Sequence, residues 1–132
     1  MGGKKILVVE DDQRLVAGLA VLLKRSGYTV VSAQDGTTAL GVARQEVPDL
    51  ILLDLGLPAG NGFLFLEWIK QLAPLATIPV IVLTGQEPSE NKEWSLKSGA
   101  VAFLQKPVEN TRLLAIIRKV LGEAATAATS EG

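Results

Sequence analysis

Two hydrophobic rhythms alternate along this chain. Short apolar runs lie at Lys5–Val9, Thr29–Ala33, Leu50–Asp54, Pro79–Thr84 and Val101–Gln105. Two of them, LILLD and PVIVLT, carry no apolar–polar alternation, which is the pattern of strands covered on both faces. The stretches between the runs repeat their apolar residues every three or four positions and predict helices. Leu15, Leu19, Leu22 and Leu23 stripe Gln13–Ser26, and Gly27 follows as a stop signal. Gly36–Glu46 forms a second helix, ended by Pro48, and Asn61–Leu72 a third. Ser89–Ser98 is a fourth, closed by Gly99, and Glu109–Leu121 a fifth, striped by Leu113, Ile117, Val120 and Leu121. Five strand–helix units in succession predict an α/β fold. It is a doubly wound parallel five-stranded sheet with right-handed crossovers and helices on both faces.

In such open sheets the ligand site lies beyond the carboxyl ends of the strands. That rule gathers the polar residues that interrupt the apolar runs. The first run ends at Glu10, Asp11 and Asp12, the third at Asp54, the fourth at Thr84, and the fifth is followed by Lys106 and Pro107. All of them fall on one rim of the sheet. Residues 122–132, GEAATAATSEG, lack bulky apolar side chains and are expected to form a disordered tail. The folded domain is then 1–121.

Composition narrows the chemistry. The chain has 132 residues, 48% hydrophobic and 20% charged, enough for one domain with its own core. Its net charge is −1 without a basic block, so no electrostatic footprint for nucleic acid is visible. It has no cysteine and no histidine. That excludes disulfides, thiolate metal sites and the usual general base. No apolar run reaches the length of a membrane span, and the N-terminal MGGKK lacks a signal-peptide core. A cytoplasmic location is the expectation.

Asp54 precedes LGLPAGNG, a loop of turn formers. A lone carboxylate at a strand end most often caps a turn or helix. Several together need another account, because two carboxylates about 4 Å apart repel by roughly 4 kcal/mol at an effective dielectric near 20. A hard divalent cation removes that repulsion. Oxygen-only ligands on a small rim suit Mg²⁺. Lys106 alone would read as a surface lysine and Thr84 alone as a satisfied strand-end hydroxyl. Taken together, a nucleophilic carboxylate, a divalent cation, an ammonium and a hydroxyl are the components of in-line phosphoryl transfer onto Asp54.

At this point the sequence resembles the receiver domain of bacterial two-component response regulators, over residues 4 to about 121. The matching stretches are ILVVEDD, LLDLGLPAGNG, VIVLTG and the Lys106-Pro107 pair, in that order. The resemblance implies a flavodoxin-like sheet with strand order 2-1-3-4-5. It implies that Asp54 accepts a phosphoryl group from a partner histidine kinase or phosphotransfer protein. Mg²⁺ would be held by Asp11, Asp54 and the backbone carbonyl of Gly56, with Glu10 acting through water and Asp12 just outside. Thr84 and Lys106 would contact the phosphoryl group, and Thr84 with Phe103 would form the switch that alters the face of the fourth helix, fifth strand and fifth helix. Such a domain acts on itself rather than as an enzyme on other substrates. Phe103 departs from the family's tyrosine, so its rotamer switch must run on packing alone.

Rival functions fit less well. An aspartate-nucleophile phosphohydrolase wants Asp-x-Asp after the first strand, where this chain has Glu10-Asp11-Asp12. A nucleotide or flavin binder wants a glycine-rich cradle there, whereas the GNG at 60–62 follows the third strand. An inert interaction module would not need every site position filled. Two surface features complete the expectations. Phe65, Leu66 and Ile69 fill the core side of the third helix, while Leu64, Trp68 and Leu72 form an apolar strip suited to a partner or to weak homodimerisation. Trp94 faces outward if Leu96 faces the core. The downstream target is left open.

Overall fold

The structure is a computed structural model and describes residues 3–57, 61–85 and 88–123. The elements run β1 (Lys5–Val9), α1 (Gln13–Arg25), β2 (Thr29–Ala33), α2 (Gly36–Glu46), β3 (Leu50–Asp54) and α3 (Asn61–Ile69). A 3-10 turn (Leu75–Thr77), β4 (Val80–Thr84), α4 (Pro88–Lys97), β5 (Ala102–Gln105) and α5 (Asn110–Val120) complete the chain. The strands form one parallel sheet in the order β2-β1-β3-β4-β5. The unalternating runs take the central places, and every residue of β3 and β4 is buried. The more polar β2 and β5 lie at the edges, where one face and one ladder are open. None of the described helices is long and apolar enough to cross a membrane.

Side chains alternate across the sheet and divide the core in two. Leu7, Val9, Ile51, Leu53, Val80 and Val82 pack with α2 and α3 through Ala39, Ala43, Phe65, Leu66 and Ile69. Ile6, Val8, Leu50, Leu52, Ile81 and Leu83 pack with α1 and α5 through Leu19, Leu23, Leu113 and Ile117. The expected core side of α3, Phe65, Leu66 and Ile69, is fully buried.

Short side chains fix the helix starts. Asp12 caps α1, accepting from the amides of Arg14 (3.0 Å) and Leu15 (3.4 Å). Asp35 caps α2, accepting from the amide (2.8 Å) and hydroxyl (3.1 Å) of Thr38, and those bonds lower its pKa. Val47 closes α2 in the left-handed region at φ 43°, and Pro48 prevents its continuation.

Most boundaries agree with the sequence reading, and all but one of the others shift by a single residue, as helix and strand ends do. Two differences have particular causes. The third helix stops at Ile69 rather than Leu72. There the amides of Gln71 and Leu72 turn to the carbonyls three residues back, Trp68 (3.1 Å) and Ile69 (3.4 Å), and the Lys70 amine donates to the carbonyls of Ala76 (3.3 Å) and Ile78 (2.9 Å), which ties the following turn to the helix end. Burial lowers the pKa of that amine. In α4 the expected facing is reversed: Leu96 is 43% exposed, while Trp94 turns inward onto the Phe63 ring, centroids 4.9 Å apart and planes tilted by 58°. An aromatic neighbour on α3 offers more contact than a leucine could use, and this decides which residue faces in.

The last described residue is tied to the residue that precedes the second strand. Glu123 accepts a 2.6 Å hydrogen bond from the Tyr28 hydroxyl, so Gly122 and Glu123, expected in the tail, are held to the domain. The rest of that stretch, 124–132, lies outside the described residues. Burial and the bond to Glu123 raise the Tyr28 pKa to about 12. Because Tyr28 is the chain's one tyrosine, an ultraviolet titration reads it directly. The phenolate is expected to appear near pH 12 in the folded protein and near pH 10 in denaturant. A folded-state midpoint at the ordinary value would mean the bond to Glu123 does not persist in solution. The stability attached to this group is present below pH 10 and lost as pH rises through about 12.

Candidate functional site

The rim at the carboxyl ends of β1, β3, β4 and β5 collects the polar residues as expected. Carboxylate oxygens of Glu10, Asp11 and Asp54 lie within 4.8 Å of one another. Glu10 and Asp54 are buried and Asp11 is exposed. Lys106 reaches into this group. Its Nζ is 2.7 Å from Glu10 Oε1 and 3.5 Å from Asp54 Oδ2, with a quarter of its side chain exposed. Burial is the largest influence on Glu10 and raises its pKa, assisted by the charge of Asp54 and opposed by the bonds from Lys106 and the Asp12 amide.

The backbone holds these groups in place. Asp54 Oδ1 accepts from the Gly56 amide at 2.9 Å, closing a tight turn directly after β3. Glu10 Oε2 accepts from the Asp12 amide at 3.1 Å, while the Asp12 side chain points on to the helix it caps. Asp12 is therefore a helix cap outside the carboxylate trio, as expected. The Lys106 amide donates to the Thr84 carbonyl at 2.9 Å, which brings lysine and threonine side by side across β4 and β5. Thr84 is fully buried. Phe103 pairs in register with Val82, so on that face it sits one step back from Thr84 on the neighbouring strand. It is half-buried against the α2–α3 side of the core. The loop 58–60 and Gln86 lie outside the described residues.

The Lys106–Glu10 bond was not foreseen. Sequence spacing brought both to one rim, and only the side-chain geometry shows that the amine bridges two carboxylates. Gly62 was also passed over. A Cβ there would lie 2.6 Å from the Asp54 carbonyl oxygen and 2.8 Å from Leu55 Cα, so α3 can start this close to the end of β3 only with glycine. A glycine inside a helix, where propensity disfavours it, was the available signal.

Beside the trio, a groove of about 550 Å³ runs between α1 and the start of α5, lined among others by Arg14, Leu15, Leu19, Lys106, Pro107 and Val108. Its walls are mainly apolar and it opens onto the Lys106 side of the carboxylates. The arrangement offers a buried carboxylate at a strand end, two further carboxylates for a cation, a fixed ammonium, and an open approach.

The sequence matches the response regulator receiver domain over residues 6–118. The chain belongs to the response regulator receiver family. Among its relatives, PilH of Pseudomonas aeruginosa is 35% identical over 117 residues, covering 89% of this chain and 97% of PilH. The polar-differentiation response regulator DivK of Brucella ovis is 33% identical over 121 residues, covering 92% and 98%. Among solved structures, the receiver domain of the Pseudomonas aeruginosa sensor histidine kinase PA1611 superposes with a TM-score of 0.84 at 29% identity, over 92% of this chain and 100% of that one. That crystal structure has a magnesium ion coordinated in its active-site cleft. The receiver fold and the strand order expected from the sequence are those observed, and the carboxylate trio fits a phosphoacceptor site.

Proposed function

We propose that this receiver takes a phosphoryl group from the phosphohistidine of a partner kinase or phosphotransfer protein onto Asp54, and that the acyl phosphate changes the α4–β5–α5 surface. The observation that carries this reading is the Lys106 ammonium, 2.7 Å from Glu10 and 3.5 Å from Asp54. A fixed cation stands beside a buried strand-end carboxylate with two more acids within 4.8 Å. In the transfer an Asp54 Oδ forms the new O–P bond, the P–N bond of the donor breaks, and its electron pair stays on the imidazole. These 132 residues contain no histidine, so the donor imidazole lies outside them. The open groove between α1 and α5 is its natural approach.

The donor set fits Mg²⁺. Glu10, Asp11 and Asp54 are hard oxygen ligands, and the sequence has no histidine or cysteine to favour a softer ion. Asp11 and Asp54, with the Gly56 carbonyl, would hold it, and Glu10 would act through water. When bound, the ion neutralises charge on the phosphoryl oxygens. Lys106 then has a second task. It orients Glu10 in the resting site and balances a phosphoryl oxygen in the modified one. Thr84 is expected to turn its hydroxyl toward the phosphoryl group, and Phe103, one step back on the same face, to follow into the space released. Burying more of the ring is favourable by up to roughly 1.5–3 kcal/mol, with no hydroxyl to satisfy. No turnover of other substrates is expected.

Incubation with a small phosphodonor such as acetyl phosphate tests this by intact mass. With Mg²⁺ the wild type is expected to gain one phosphoryl group. Asp54→Asn, or wild type in EDTA, is expected to gain none. Equal labelling of Asp54→Asn would remove Asp54 from the reaction.

A further inference from the structure

We infer that the α2–α3 face is a contact between two copies of this chain. On this face a groove of about 340 Å³ runs between the two helices, with Leu40, Trp68 and Leu72 along its walls and Arg44 at its edge. These three apolar side chains are half-buried, and the strip continues onto Leu64, which is 41% exposed. The apolar strip expected from the sequence is therefore only partly absorbed: Leu40 and Leu72 also touch the core, while Leu64 stays exposed. Tryptophan and arginine on an accessible apolar surface are the residue types that carry most of the energy in protein contacts.

Charge selects the occupant. Arg44 lies on the α2 flank of the strip. Glu67 is about 100° round the helix from Trp68 and is not among the groove's lining residues, so it lies on the opposite flank. Both are exposed, and among the described residues neither takes part in an ion pair. A cation on one side of an apolar strip and an anion on the other is a self-complementary surface. A two-fold axis through the strip brings Arg44 of each copy toward Glu67 of the other, as an isologous contact requires. A partner of a single charge sign would leave one flank unmatched. The net charge of −1 offers little repulsion between copies. The contact does not depend on phosphoryl chemistry.

Sedimentation of the purified chain over a concentration series up to about 1 mM tests the inference. Wild type is expected to show a reversible dimer. Arg44→Glu and Glu67→Arg are each expected to weaken it roughly tenfold, since each substitution acts twice in a two-fold contact. The double variant Arg44→Glu/Glu67→Arg is expected to recover most of the loss. Leu64→Ser tests the apolar part and is expected to weaken the dimer with the circular dichroism spectrum unchanged. A monomer at every concentration overturns the inference. So does a dimer that ignores the charge reversals, or one that the double variant fails to restore.

Discussion

Lys106→Met is expected to destabilise the metal-free protein at neutral pH by about 2–4 kcal/mol, measured as a fall in the urea midpoint. Lys106 bridges Glu10 at 2.7 Å and Asp54 at 3.5 Å. Both carboxylates are buried. Removing one member of a buried ion pair typically costs about 3–5 kcal/mol, because the charge left behind has neither water nor a partner. Here the cost is lower, because 25% of the Lys106 side chain meets solvent. The pH dependence follows from Glu10. Burial raises its folded-state pKa above the ordinary 4.5. The stability attached to this group is thus fully present below pH 4.5 and lost as pH rises through the raised folded value. Lys106 lowers that folded value, so its removal widens the window in which Glu10 stays protonated. The deficit of Lys106→Met is expected to shrink on acidification and to be small once Glu10 is neutral. Adding Glu10→Gln to Lys106→Met should restore much of the loss at neutral pH. A deficit that is the same at all pH values would show that the amine contributes packing alone.

The second large effect is expected from a single methyl group. Gly62→Ala places a Cβ 2.6 Å from the Asp54 carbonyl oxygen and 2.8 Å from Leu55 Cα. Both neighbours are backbone atoms, so neither can yield by a rotamer change. Overpacking of this kind costs about 1–3 kcal/mol and occasionally more. The helix gains only about 1 kcal/mol from exchanging glycine for alanine. Contacts this short with backbone atoms put the cost at the upper end of that range, so a net loss of about 2 kcal/mol is expected, with slower phosphoryl uptake because the end of β3 that carries Asp54 must shift. Gly18→Ala is the contrast. It lies in α1 with nothing within 4 Å of its would-be Cβ, and is expected to raise stability by about 0.5–1 kcal/mol. Urea titration of the two variants side by side separates steric crowding from helix propensity. If Gly62→Ala is as stable as wild type, α3 does not approach β3 as described.

The sequence carried the architecture further than it carried the contacts. Runs such as LILLD and PVIVLT are long enough and apolar enough to specify buried parallel strands, and the topology rule then delivers Glu10, Asp54, Thr84 and Lys106 to one rim. Neither the facing of α4 nor the end of α3 was legible, for different reasons. In α4 only Trp94 and Leu96 compete for the core among few apolar residues, so the choice depends on Phe63, a residue of another helix. At the end of α3 the amides of Gln71 and Leu72 donate three residues back, to Trp68 and Ile69, so the apolar stripe that continues to Leu72 runs past the last α-helical turn. The site shows the same division. Which residues gather there follows from strand ends, while the 2.7 Å pairing of Lys106 with Glu10 and the requirement for glycine at 62 are properties of three-dimensional packing.

The central claim is that Asp54 is the phosphoacceptor, and chemical trapping tests it most directly. An acyl phosphate is reduced by borohydride to the alcohol, so a phosphorylated aspartate becomes homoserine, which peptide mass mapping can locate. After treatment with acetyl phosphate and Mg²⁺, conversion is expected at Asp54 alone, and it should disappear when Mg²⁺ is replaced by EDTA. Conversion at Asp11 or another carboxylate while Asp54 is recovered intact would contradict the account.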